Sequence, residues 1–217
     1  MFRYLFILLF FHIYSFSQSF DETESKIKSL YNFSLTQGKS YDWLEHLSNQ
    51  IGSRLSGSIG AERSVEWAKQ ELEKLKLDKV WIEPVMVPKW VRGSFEYASI
   101  ESSTGNSMKV SVCALGGSIA TPSNGIRAHV VELTSFEELK KLEKKQVQGK
   151  IVFFNSPMDP VEINTFLAYR KLVNLRRKGA EEAAKHGAIA VVIRSLNLVN
   201  DDFPHTGSMS YGKTKLN

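Results

Sequence analysis

The segment KGAEEAAKHGAIAVVI, residues 178–193, decides the fold class. Lys178–His186 is rich in Ala, Glu and Lys, which favour helix. Gly187 supplies the stop, and Ala188–Ile193 is a strongly apolar run of strand type. Upstream, Lys150–Phe154 is another buried-strand run, and His129–Leu133 reads as a short strand. Between them Ser135 and Glu138 have capping-box spacing, which predicts a helix through Leu142. The basic stretch Arg170–Lys178 reads as an exposed helical face rather than a nucleic-acid groove, which would interleave aromatic residues among the bases. The expectation is a mixed α/β fold with short helices in this half of the chain.

Further toward the N-terminus, Gly116–Gly125 is a Gly-, Ser-, Thr- and Pro-rich loop. Phe95–Glu101 and Met108–Leu115 are expected strands joined by a turn at Ser103–Asn106. Val80–Val87 reads as an edge strand interrupted by Pro84. Three amphipathic helices precede it. Residues 21–37 place Ile27, Leu30, Tyr31 and Ser34 on one face. Ser40 is the expected N-cap of a second helix, striped by Leu44, Leu47 and Ile51 and ended by Gly52. The third spans Ser58–Leu77, with Ser56 or Ser58 as cap and Ala61, Val65, Ala68, Leu72 and Leu75 on its apolar stripe. Composition shifts near Ser102–Gly105, which sets the expected units at residues 18–104 and 105–217.

Residues 1–17, MFRYLFILLFFHIYSFS, have the three parts of a secretory signal peptide: Arg3, an apolar stretch from Leu5 to Tyr14, and small Ser15 and Ser17 before the cut. The stretch is shorter than the roughly 20 apolar residues of a membrane span. The expectation is therefore export, with no membrane association after the leader is removed. The 217 residues contain one cysteine, Cys113, so no internal disulfide framework forms. The net charge of +5, from 28 Lys and Arg against 23 Asp and Glu, is modest and mixed along the chain, and no nucleic-acid partner is expected.

Catalytic motifs are sparse. No His lies in HExxH or HxxxH spacing, no GxSxG elbow occurs, and neither GxGxxG nor a Walker loop is present. His46 and His186 read as surface histidines, and Cys113 as a structural cysteine in a strand. Asp201–Gly207 carries two carboxylates and an imidazole in one loop, and the ordinary reading is a polar turn. From the residues alone this is an exported two-part α/β protein without a visible active site, and no catalytic or metal-ligating residue is assigned.

Several segments, in order, resemble one family. They are Ile51-Gly-Ser-Arg-Leu-Ser-Gly-Ser58, Leu77-Asp-Lys-Val-Trp-Ile-Glu-Pro84, Pro88-Lys-Trp-Val-Arg-Gly93 and Leu115-Gly-Gly-Ser-Ile-Ala-Thr-Pro122. Thr134–Leu139, Gly149–Val152, Tyr169-Arg170, Gly179–Lys185, Ile193-Arg-Ser195 and Pro204-His-Thr-Gly207 continue the series. The chain resembles the N-terminal portion of the carboxypeptidase Q-like (plasma glutamate carboxypeptidase-like) zinc exopeptidases across nearly all of residues 41–211. The resemblance implies the opening part of a zinc-exopeptidase α/β domain in residues 18–104. It implies an inserted, incomplete protease-associated (PA) domain of mixed sheet and short helices in 105–217. It further implies two zinc ions in the full-length family, peptide substrates and a possible homodimer. His205 and Thr206 become candidate cleft-loop residues.

The departure from the family lies in the zinc site. The family's ligands belong to GHxD, DDxxG and paired-Glu motifs that follow the inserted domain. Here His129, His186 and His205 are followed by Val, Gly and Thr, and Asp201-Asp202 by Phe-Pro. The expectation is an N-terminal fragment of an exported metallo-exopeptidase, truncated at its C-terminal end, which binds no zinc by itself and is inactive alone. The alternative is a non-catalytic PA-domain module that binds peptides or proteins.

Overall fold

The computed structural model describes residues 21–93, 95–199 and 201–212. The leader expected at residues 1–17 lies outside them. The chain divides into two compact units, one up to Lys89 and one from Trp90. The 102–105 turn expected to separate the units instead lies inside a hairpin of the second, where a hydrogen-bonded ladder holds both flanks together.

The first unit is helical. Residues 21–37 are helix (α1), and Ser40–His46 is α2, which continues as a π-helical turn over Leu47–Ile51. The cap of α2 is Lys39 without a side-chain bond, and Ser40 is the first helical residue rather than the cap. Helix α3 covers Ile59–Glu73 and begins where Ser58 Oγ accepts the Ala61 N–H at 3.2 Å. Its C-terminus comes before the expected Leu77, because Lys76 adopts a φ of 54°. The α2 and α3 helices meet through the His46 and Trp67 rings, stacked at 4.8 Å, and through Trp43 Nε1, which donates to Glu71 at 3.2 Å. Arg54 Nη1 donates to the carbonyls of Leu47 and Gly52 and so closes the end of the π-helical turn. The expected strand at Val80–Val87 is irregular backbone: Pro84 and Pro88 remove ladder donors, and among the described residues no strand pairs with it. None of the described residues of this unit is fully buried.

The second unit holds both sheets. Ala98–Glu101 (β1) and Ser107–Val110 (β2) form an antiparallel hairpin in which Ala98 faces Val110 and Glu101 faces Ser107. Val130–Leu133 (β3), Ile151–Phe154 (β4) and Ala190–Ile193 (β5) form a parallel sheet in chain order, with Val152 opposite Val131 on one side and Val191 on the other. Parallel neighbours need a crossover. Between β3 and β4 it is Phe136–Lys141 (α4) and the single turn Lys144–Val147 (α5). Between β4 and β5 it is Thr165–Lys185 (α6).

Helix α6 corrects the expectation of short helices. Its 21 residues absorb both the basic stretch and the expected Lys178–His186 helix, because Asn164 Oδ1 caps it by accepting the Leu167 N–H at 3.2 Å. The α4 cap is Ser135, as expected. Ser135 Oγ accepts from Glu138 N at 3.2 Å, but the Glu138 carboxylate reaches back to the N–H and hydroxyl of Thr134.

The core lies on one face of the parallel sheet. Val152 and Phe154 are fully buried beneath α4 and α6, together with Leu133, Leu139, Val147, Leu175 and Ala183. The Phe136 ring meets Phe154 edge-on at 5.5 Å. Gly179 makes this approach possible. A Cβ there would sit 3.2 Å from both Phe154 and Ile193, so only glycine lets α6 lie this close to the sheet without displacing them. A smaller cluster of Met158, Ala168 and Leu196 anchors the N-terminal half of α6.

Candidate functional site

In the second unit, Trp90 and Arg92, the 115–122 segment and the 204–207 segment, three of the family-like stretches, meet around one guanidinium. Arg92 Nη1 donates to Glu96 Oε1 at 2.8 Å and to the Ala114 carbonyl at 2.6 Å, and lies 2.9 Å from Cys113 Sγ. Its Nη2 donates to Thr206 Oγ1 at 3.2 Å, a residue 114 positions away in the chain. Thr206 Oγ1 in turn donates to the Ala114 carbonyl at 3.2 Å. The Trp90 ring flanks Arg92 at 5.0 Å, and its Nε1 donates to the Ser118 carbonyl at 2.8 Å.

Backbone bonds extend the same junction. Gly116 pairs as an isolated parallel bridge with Ser208, through Gly116 N to Gly207 O at 2.7 Å and Met209 N to Gly116 O at 2.9 Å. Gly117 has a φ of 91°, and a Cβ there would lie 3.1 Å from the Met209 carbonyl, so this crossing requires glycine. Ile119 N donates to the Tyr211 hydroxyl at 3.2 Å. On the α6 side, Arg176 donates to the Tyr169 hydroxyl and lies over its ring at 5.3 Å, while Ser210 N bonds the Arg177 carbonyl at 3.1 Å.

Glu96 is the electrostatic partner of the junction. The Ala114 N–H, at 2.7 Å from Oε1, holds its carboxyl below the usual value; the Arg92 guanidinium adds to this, and partial burial opposes it. The carboxylate therefore stays charged beside its cation. The cluster contains a cation, a carboxylate, a thiol and a hydroxyl, but they are bonded to one another. Among the described residues no hydrogen bond joins Cys113 to an imidazole, and the chemistry this geometry performs is fastening distant segments together.

The candidate cleft-loop residues separate. Thr206 sits in the junction. His205 is exposed, and its backbone N–H donates to Ser195 Oγ at 3.1 Å. Asp201 Oδ1 accepts the Phe203 N–H at 3.0 Å, the geometry of an ordinary Asx turn. Arg92 and Glu96 were assigned no role from sequence. The available signal was the Pro88–Gly93 segment, whose Trp90 and Arg92 both prove to be anchors.

Among the described residues no group of three or more His, Cys, Asp or Glu side chains is placed to hold a metal ion. His46 is stacked on Trp67, and His186 Nδ1 lies 3.3 Å from the Glu182 carbonyl at the end of α6. These residues do not fit a zinc centre. Among the described residues no helix is long and apolar enough to cross a membrane.

No family model matches the chain. It is 38% identical over 175 residues to carboxypeptidase Q of Homo sapiens, covering 81% of this chain and 34% of that protein. It is 35% identical over 193 residues to carboxypeptidase Q of Xenopus laevis, covering 89% of this chain and 39% of that protein. Among solved structures it resembles a peptidase M28 precursor from Shewanella amazonensis SB2B with a TM-score of 0.79 and 34% identity, over 89% of this chain and 42% of that one. The chain thus spans little more than a third of the length of the curated relatives it matches.

Proposed function

Because the chain belongs to the carboxypeptidase Q-like zinc exopeptidase family, we propose that it supplies the N-terminal and PA-domain portion of an exported metallo-exopeptidase acting on dipeptides or short peptides. The observation that carries this reading is the 38% identity to human carboxypeptidase Q sustained over 175 residues. The Arg92 junction supports it, since segments that resemble the family one by one converge in space. In the full-length family two zinc ions would supply the hydrolytic chemistry. The described residues hold no set of ligands for them, so their own contribution is scaffold: Arg92, Glu96 and Thr206 fix the loops of the second unit. A homodimer and peptide substrates belong to this proposal, as does inactivity of the 217-residue chain by itself.

The test is a chimera in which residues 41–211 replace the matched segment of human carboxypeptidase Q. Retained zinc-dependent dipeptide hydrolysis is expected. A folded, zinc-loaded chimera without activity would overturn the reading, and zinc-dependent hydrolysis by the isolated chain would overturn its predicted inactivity. A second reading, a peptide-binding module in the second unit, is favoured by the groove between α4 and α6.

A further inference from the structure

A cleft of about 400 Å³ runs between α4 and α6. Its apolar floor is formed by Phe136, Leu172 and Leu175, and these are side chains of the sheet–helix core rather than of a solvated face. Lys140 projects from α4 and Lys178 from α6 to border it. Both are exposed, and neither is in an ion pair among the described residues. The other charges differ in this respect. Lys171 is held by Glu162 at 2.9 Å, and Glu182 by Lys185 at 2.7 Å. Glu137 is the one carboxylate of the lining outside an ion pair. Two uncommitted cations over an apolar floor, against one uncommitted carboxylate, give the cleft a cationic rim.

We propose that this groove binds an acidic peptide segment, with an apolar side chain resting on Phe136, Leu172 and Leu175 and flanking carboxylates meeting Lys140 and Lys178. The inference rests on the binding-module reading of the second unit and uses no zinc chemistry. Lysine fits this task as a flexible point charge that follows a peptide without fixed geometry. The exposed rim makes binding salt-sensitive, while the apolar floor supplies the salt-insensitive part.

The experiment is fluorescence anisotropy with the full 217-residue chain in EDTA, using a labelled eight-residue peptide of Asp and Glu around a central Leu-Phe pair. A second peptide has Lys in place of each acid. The acidic peptide is expected to bind saturably and the basic one at least tenfold more weakly. The double variant Lys140→Glu/Lys178→Glu is expected to weaken acidic-peptide binding at least tenfold. Lys109→Glu/Lys144→Glu, which changes net charge equally outside the groove, is expected to alter it less than twofold. Equal weakening by both variants, or none by the groove variant, overturns the groove while leaving a peptide-binding module elsewhere on the unit. Absence of saturable binding to either peptide overturns both.

Discussion

Arg92 shows how much a single residue can hold. Its guanidinium satisfies Glu96, the Ala114 carbonyl and Thr206 together. Arg92→Met keeps much of the stem but leaves a partly buried carboxylate and a carbonyl without their donor, so a loss of about 2–3 kcal/mol is expected in urea unfolding. Thr206→Val removes only the hydroxyl and should cost about 1 kcal/mol in the same measurement. The pH response follows from Glu96. Its folded carboxyl lies below the ordinary value of 4.5, so it adds stability that is fully present above that value. That stability is lost as the pH falls from about 4.5 through the lower folded value. Glu96→Gln should therefore flatten the acid limb of a stability–pH profile measured by thermal melting. An unchanged limb would show that other carboxylates set it.

At the scale of elements, local signals worked where the determinant was local. Ser58 caps α3 as its position suggested, and β3, β4 and β5 lie within the expected apolar runs. The true length of α6 was not legible. Arg170–Lys178 looked like a solvated face because its burial is sparse: Ala168, Leu175, Gly179 and Ala183 are the buried positions among long charged side chains. The Asn164 cap is the element's start signal, and Asn164→Ala should lower stability by about 1 kcal/mol, with Asn164→Asp restoring most of it. Gly179 tests the helix–sheet seam. Gly179→Ala raises helix propensity but places a methyl 3.2 Å from Phe154 and Ile193, and overpacking should win by about 1–3 kcal/mol, read as a lower unfolding midpoint. A raised midpoint would mean that the seam yields freely. Val80–Val87 failed as a strand because β-branched residues make a strand only when a neighbour supplies a ladder, and none of the described residues pairs there.

Across the whole molecule, burial is divided unevenly. Among the described residues, the fully buried ones belong to the second unit. In the first, Ile27, Leu30 and Tyr31 on the expected face of α1 are 60–70% exposed, and Val65, Leu72 and Leu75 of the α3 region are at least 38% exposed. Apolar surface left in water favours association. The purified chain should therefore bind a hydrophobic dye and self-associate with rising concentration in sedimentation velocity. A chain that remains monomeric and dye-silent at high concentration would count against this.

The amino-acid sequence by itself determined the α/β class, the three apolar strand runs of the second unit, a serine cap for α3 at Ser56 or Ser58, and the family resemblance. These depend on periodicity, capping chemistry and segment identity, all readable along the chain. Only the tertiary structure decided that the 102–105 turn closes a hairpin inside the second unit and that α6 is one helix. It alone placed Arg92, Glu96 and Thr206 in a common junction. The physical reason is distance along the chain: a hydrogen bond between residues 114 positions apart leaves no local pattern, because its partners are ordinary polar residues until the fold brings them together.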